Sequence, residues 1–139
     1  MKQTLLILGI IAVVAAATGQ QRTTTPADDS RSRERGRYLV ENVAVCVQCH
    51  TPRSENGDLL FSRMLLGAPV PVTKPYPLQQ WAEYAPRIAG LPQYSEEQML
   101  KLLTVGIGRD GTPLRAPMPT FKMTSQDAQD VAAYLKSLP

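Results

Sequence analysis

Cys46-Val47-Gln48-Cys49-His50 is the stretch of this 139-residue sequence that determines its fold. It has the C-x-x-C-H pattern at which haem c is attached. Two thiols three residues apart lie on one side of a helical turn, where each can form a thioether with one haem vinyl group. The adjacent His50 imidazole then serves as an axial iron ligand. The chain has two cysteines and one histidine, so the motif uses all of them.

Other interpretations of the motif explain less. A disulfide between Cys46 and Cys49 would close a very short loop and would stabilise the fold little. A zinc site needs three or four protein ligands, usually on two arms, and the sequence has no second C-x-x-C or H-x-H arm. A thioredoxin-like redox pair requires a βαβ context, which the surrounding sequence does not indicate. The motif therefore predicts one covalently bound haem c.

The chain divides into three regions. Residues 1–19 combine Lys2 with a short apolar run and predict a signal peptide or an uncleaved anchor, since the run is shorter than the ~20 residues that span a bilayer. Residues 20–33 are polar and predict a flexible tether. Residues 34–139 predict one small domain. We therefore expect an exported, periplasmic protein, soluble or held at the membrane by its N-terminus.

Three helices are predicted in the small domain, which gives an all-α fold class. The first runs from about Ser32 to Val45 and leads into the motif. The second begins at Ser95, forms a capping box with Gln98 and ends at Gly106. The third begins at Thr124, with apolar residues at helical spacing up to Leu138.

A long irregular segment lies between the first two helices. Residues 51–94 contain prolines throughout, which prevents regular structure. We expect this loop to wrap the haem with its apolar side chains, namely Phe61, Met64, Leu65, Leu66, Trp81 and Ile88.

The order of these features resembles that of class I c-type cytochromes. A helix precedes an early C-x-x-C-H, and a proline-rich loop, a capped helix, a Met loop and a final helix follow. The tail is similar to cytochrome c subunits and to free monohaem cytochromes that accept electrons from periplasmic dehydrogenases, through Gly108-Arg109-Asp110-Gly111, Met118-Pro119, Asp127-Ala128 and Ala133-Tyr134-Leu135-Lys136-Ser137-Leu138. The resemblance implies the small cytochrome c fold, with helices around one covalently bound haem.

The resemblance also implies the sixth iron ligand. Met118 lies between Pro117 and Pro119 in the Met loop, where the family places that ligand. Met123 is the second choice, and Met99 and Met64 are interpreted as apolar packing. The predicted haem-binding residues are thus Cys46, Cys49, His50 and Met118, and the predicted iron ligands are His50 and Met118.

Supporting residues follow from the same resemblance. The second ring nitrogen of His50 is expected to donate to the carbonyl of Pro86, with that of Pro69 as the alternative. Gly36 and Tyr38 on the first helix are expected to cross Tyr134 and Leu135 on the last. Four residues are candidates for hydrogen bonds to the haem propionates, namely Arg87, Trp81, Tyr76 and Tyr84.

These features predict a one-electron carrier rather than an enzyme. His/Met ligation fills the iron coordination sphere and raises the reduction potential. The expected partners are redox proteins: a dehydrogenase as donor, and an oxidase or another cytochrome as acceptor. No basic patch interleaved with aromatics points to nucleic acid, although the basic N-terminal arm could touch a membrane. Two alternatives are a haem subunit of a membrane dehydrogenase or oxidase complex, and a haem sensor with a labile sixth ligand.

Overall fold

The computed structural model describes residues 25–77 and 80–139. The predicted signal peptide or anchor, and the tether up to residue 24, lie outside these residues. Helices dominate the described part, which confirms the predicted all-α class, and a two-stranded antiparallel sheet is added to them. In chain order the elements are α1 (Pro26–Tyr38), a π-helical segment (Leu39–Val43), α2 (Val47–His50), a 3₁₀ turn (Phe61–Arg63), β1 (Ala68–Pro69), β2 (Tyr84–Ala85), α3 (Glu96–Val105) and α4 (Ser125–Ser137).

Helix α1 begins earlier than the sequence predicts. Thr25 caps it by accepting a hydrogen bond from the backbone of Asp28, whose carboxylate bonds back to Thr25, and Pro26 occupies the first turn. Farther along, Ser32 donates to Asp130 of α4 and Arg35 pairs with Asp127 at 2.9 Å. The prediction of a flexible tether is therefore wrong over residues 26–33, because a cap and contacts with α4 stabilise a helix that buries almost no apolar surface.

The first helix ends in a π-helical segment rather than in a regular turn. The backbone N–H of Ala44 donates to the carbonyl of Leu39, five residues earlier, at 2.8 Å. The next residue, Val45, has φ +45°, a left-handed conformation that is rare for a β-branched side chain. This reversal ends the helix and starts the turn that carries the C-x-x-C-H motif.

Helices α3 and α4 begin as predicted. The Ser95 hydroxyl accepts from the backbone N–H of Gln98, and the Ser95 backbone N–H donates in return to the Gln98 side chain, which completes a capping box. Gly106 ends α3 with φ +75°. Thr124 caps α4 through the backbone N–H of Asp127. Apolar residues from these helices and from the end of the first helix form one buried core, which includes Val40, Leu103, Val131, Ala132 and Leu135.

Helices α1 and α4 approach most closely at Gly36. A Cβ atom added there would collide with the backbone carbonyl of Asp130 and would lie 2.8 Å from the Cβ of Tyr134. Beyond the contact, the Tyr134 hydroxyl donates to Glu41 at 2.7 Å. Burial, and to a smaller extent this bond, raises the pKa of Tyr134. Gly36, Tyr134 and Leu135 are buried, whereas Tyr38 is half exposed under the guanidinium of Arg35. The predicted crossing is confirmed for Gly36 and Tyr134.

The segment between α2 and α3 builds its own small layer instead of remaining an unstructured wrap. Strand β1 pairs with β2 so that Ala68 faces Ala85. The fully buried Leu65 donates its backbone N–H to the Thr51 hydroxyl, and its carbonyl accepts from Ile88 and Ala89. These bonds satisfy polar groups in a region that has little regular structure.

Replacing Gly36 with alanine should strongly destabilise the fold. Glycine-to-alanine changes inside a helix usually stabilise it by about 0.5–1 kcal/mol. Here the added methyl group overlaps backbone atoms of α4, so we expect a loss of about 1–3 kcal/mol or more, as for other overpacked sites. Denaturant unfolding of the haem-loaded protein measures the change.

Gly57→Ala is the matched control. An added Cβ at Gly57 meets no atom within 4 Å, although φ is +87°, so this change should cost about 1–2 kcal/mol from backbone strain alone. A Gly36→Ala protein as stable as the wild type would show that α1 and α4 are not packed as described.

Candidate functional site

Helix α2 brings the two thiols and the imidazole of the motif together. Cys46 lies at its N-terminal cap position, and its carbonyl accepts the backbone N–H of His50 at 2.9 Å. The backbone N–H of Cys46 donates to Val40 at 2.9 Å, which fixes the motif to the end of the first helix. Both cysteines are free thiols. One helical turn therefore presents two nucleophilic sulfurs and a histidine without a disulfide.

His50 is buried, with 5% of its surface exposed, and its Nδ1 lies 2.7 Å from the carbonyl oxygen of Pro86. Because a carbonyl can only accept, Nδ1 carries the proton and Nε2 keeps its lone pair. Burial lowers the pKa of His50, and the bond to Pro86 opposes this only in part. The interaction predicted with Pro86 is confirmed. The imidazole is thus held neutral, in the tautomer that can bind a metal through Nε2.

A cavity of about 320 Å³ opens in front of α2. This volume lies in the range of ligand sites, and its walls are largely aliphatic and aromatic. Cys46, Cys49, His50 and Met118 all line it, so the structure brings together the four residues that the sequence singles out. The other walls come from α3, α4 and the loops, and include Val70, Ile88, Leu102, Leu103, Leu114, Phe121, Val131 and Leu135.

The chemistry of the thiols does not match a site for a bare metal ion. Burial raises the pKa of Cys46 to about 11, so at neutral pH it is a thiol rather than the thiolate that zinc binds. Within residues 25–77 and 80–139, no three His, Cys, Asp or Glu side chains cluster so as to hold a metal ion. The motif therefore lacks the ligand set of a structural zinc site.

Two methionines reach the cavity. Met118 lines it from the Met loop and Met99 from α3, where the sequence assigned Met99 to packing alone. Met123, the second choice for a ligand, is not among the lining residues, and its backbone N–H donates to Leu103 at 3.1 Å. Met118 and Met99 are thus the two methionines at the cavity that are candidates for the sixth iron ligand.

Most of the loop residues that were expected to contact haem do not line the cavity. Of the six apolar side chains proposed to wrap it, Ile88 lines the cavity, whereas Phe61, Met64 and Leu66 border a separate surface pocket near the C-terminus. Of the four propionate candidates, Tyr84 lines the cavity, and the Arg87 guanidinium donates to the carbonyl of Ala89 instead. Met64 and Leu66 pack instead against the buried core, to which Leu65 of the same loop belongs.

Arg115, which precedes Met118 by three residues, also lines the cavity. Its guanidinium is the one cationic group among the lining residues in the described part of the chain. The sequence analysis did not single out Tyr94, Leu114 or Phe121, which line the cavity. Leu114 lies four residues before Met118 and Phe121 three residues after it, and large apolar residues on both sides of Met118 in a proline-rich loop were the available signal.

None of the helices in 25–77 and 80–139 is both long and apolar enough to cross a bilayer.

Comparison with known proteins agrees with the fold and the cavity. The profile of the family described as Cytochrome c matches residues 33–139. The chain is 31% identical over 118 residues to a protein named "Diheme cytochrome c-type" from Cereibacter sphaeroides, covering 81% of this chain and 37% of that protein. It is 29% identical over 144 residues to proteins named "Alcohol dehydrogenase (quinone), cytochrome c subunit" from Gluconacetobacter polyoxogenes and Komagataeibacter europaeus, covering 95% of this chain and 30% of each.

The chain spans about a third of the length of these curated relatives. The family match covers most of the chain, including the motif, the cavity, the end of α1 and the whole of α3 and α4. This family binds haem c covalently and transfers electrons rather than catalysing reactions on a substrate. The chain belongs to the cytochrome c family.

Proposed function

We propose that this protein carries single electrons through one haem c, attached through Cys46 and Cys49, with His50 and Met118 as the axial iron ligands. The observation that carries the proposal is His50, whose Nδ1 proton is engaged by Pro86 at the wall of an apolar cavity. Both thiols and the Met118 side chain line the same cavity. This set supplies each protein group that a haem c with His/Met ligation requires.

The residues around the cavity fit a macrocycle of this kind. A bound haem supplies a ferric/ferrous couple, whose potential a His/Met pair raises. Cys46 and Cys49 hold the porphyrin in place, and Pro86 orients the imidazole. The aliphatic walls exclude water, and Arg115 offers a positive charge to the propionates.

A single haem is proposed because the chain has a single C-x-x-C-H motif. The relative from Cereibacter sphaeroides is named as a diheme protein, but the chain spans 37% of it. We propose a periplasmic location from the N-terminal segment. From the resemblance to dehydrogenase-linked cytochromes, we propose a dehydrogenase as the electron donor.

A patch beside the motif suits brief docking of such a partner. Val43 and Val45 are 55% and 45% exposed and lie three residues and one residue before Cys46. Val45 and Ala44 also line the cavity, so this apolar patch lies at its edge. A small apolar contact near the haem edge would allow fast electron exchange with little orientation cost.

The first test concerns attachment. Cys46→Ala or Cys49→Ala should each remove one thioether, and the double variant should release all its haem into acidified organic solvent. Wild-type protein should retain the haem and show the corresponding added mass. Extraction followed by mass spectrometry measures both. Free extraction of haem from the wild type would contradict covalent attachment.

The second test separates the two methionines of the cavity. Met118→Ala should abolish the far-red charge-transfer band of the ferric iron–thioether bond, open the ferrous iron to carbon monoxide and lower the reduction potential. Met99→Leu, which nearly conserves volume, should keep the band. Optical spectra measure the band and carbon monoxide binding, and redox titration measures the reduction potential. The reverse pattern would assign the ligand to α3 instead of the Met loop.

The third test concerns the docking patch and needs no identified partner. Electron self-exchange between two copies of the protein requires their haem edges to meet. Val43→Glu should slow this exchange several-fold at low ionic strength, because like charges repel, and added salt should restore it. Line broadening in NMR spectra of mixed ferric and ferrous protein measures the rate.

Val105→Glu serves as the control for the docking patch. Val105 is 57% exposed, is not among the cavity residues and ends α3. At the same low ionic strength its substitution should leave self-exchange within about twofold of wild type, since the added charge lies outside the patch and Coulomb repulsion falls with distance. Equal slowing by both variants would show that overall charge, rather than the patch beside Cys46, controls the exchange.

A further inference from the structure

The segment from Ala82 to Pro86 bonds to both parts of the chain that carry the proposed axial ligands. At one end, the Pro86 carbonyl accepts from His50 at 2.7 Å. At the other end, the Ala82 backbone N–H donates to the carbonyl of Ala116 at 2.7 Å, two residues before Met118. Trp81 and Ala116 form a parallel bridge at the same point. Five consecutive residues thus reach from the histidine to the Met loop.

This segment is itself held in place. It contains β2, which pairs with β1, and the Glu83 carbonyl accepts the backbone N–H of Val70 at 2.9 Å. Just before β1, the Gly67 N–H donates to the carbonyl of His50 at 2.8 Å. The segment therefore rests on a sheet that is bonded to α2. Four of its five residues line the cavity: Ala82, Tyr84, Ala85 and Pro86.

The Met loop has few other fixed points. Met118 donates its backbone N–H to Arg115, which lies within the same loop, at 3.2 Å. In the part of the chain that the structure describes, the bond between Ala82 and Ala116 is the one hydrogen bond that joins residues 115–120 to another element. The loop is half exposed, so packing alone holds it weakly.

We propose that Ala82 is a positioning residue, whose backbone N–H keeps the Met118 loop closed over the haem site. Through Pro86 the same short segment orients His50, so one rigid piece of backbone sets the positions of both axial ligands. The proposal rests on the proposed ligation by His50 and Met118. Ala82 touches the ligands only through their backbone neighbours, so its effect should appear in how tightly the sixth ligand is held.

The experiment removes one N–H group without changing a side chain. Lactic acid placed at position 82 replaces the amide N–H by an ester oxygen and keeps the methyl group. The haem-loaded ferric protein is then mixed with imidazole, which binds the iron when Met118 leaves it. We expect imidazole binding to become about fivefold faster, the factor that corresponds to losing one hydrogen bond of ordinary strength.

A matched ester at Ala89 is the control. Its N–H donates to Leu65 at 3.1 Å, and Ala89 is not among the residues that line the cavity. Both esters should lower the denaturant midpoint, but the ester at 89 should leave imidazole binding within about twofold of wild type. This difference separates a role in holding Met118 from a general loss of stability.

Four outcomes would overturn the proposal. Unchanged imidazole binding in the ester at 82, or equal acceleration by both esters, removes the positioning role and leaves the ligation intact. A wild-type spectrum without the far-red band, or a Met118→Ala protein that keeps it, refutes the ligation itself, and the positioning role fails with it. The Met118→Ala spectrum therefore tells the two failures apart.

Discussion

The hydrogen bond from His50 to the carbonyl of Pro86 connects the two halves of the site. One half is the motif turn, which follows directly from the first helix, and the other is the irregular segment that precedes α3. Because the bond fixes both the rotation of the imidazole and its tautomer, it selects the nitrogen that faces the cavity. A histidine free to rotate would not present Nε2 to the cavity in one fixed direction.

The surroundings of the cavity carry little charge. The cavity walls are largely apolar, His50 is neutral and Cys46 is a partly buried thiol. Interactions with an ion in such an environment are strong because water does not screen them. Arg115 and the exposed edge near Val45 are where that environment meets solvent.

The sequence predicted directly what depends on neighbouring residues, namely the caps at Ser95 and Thr124 and the stop at Gly106. The approach at Gly36 and the partner of His50 join distant parts of the chain, and the resemblance to class I c-type cytochromes supplied both. The sequence did not predict the start of α1, because contacts with α4, rather than an apolar face, stabilise that helix. The resemblance placed the Met loop beside the haem, but which residues of that proline-rich loop line the cavity depends on its long-range folding.

The same limit applies to the loop before α3. The apolar character of Phe61, Met64 and Leu66 predicts that they pack against other apolar side chains. It does not identify those side chains. The bonds made by Leu65 and Thr51 direct this stretch into a layer of its own. Composition alone cannot distinguish that layer from a wrap around the cofactor.

The π-helical segment at Leu39–Val43 makes the spacing between the helix crossing and the motif adjustable. A π turn contains one residue more than an α turn of the same reach. A chain lacking one residue here could continue as an ordinary α-helix and still place Gly36 against α4 and Cys46 beside the cavity. The surplus residue is absorbed over a single turn and does not shift either contact. A change of one residue in the length of chain between Gly36 and Cys46 can therefore be absorbed within this segment. The helix crossing and the haem motif both keep their places when it is.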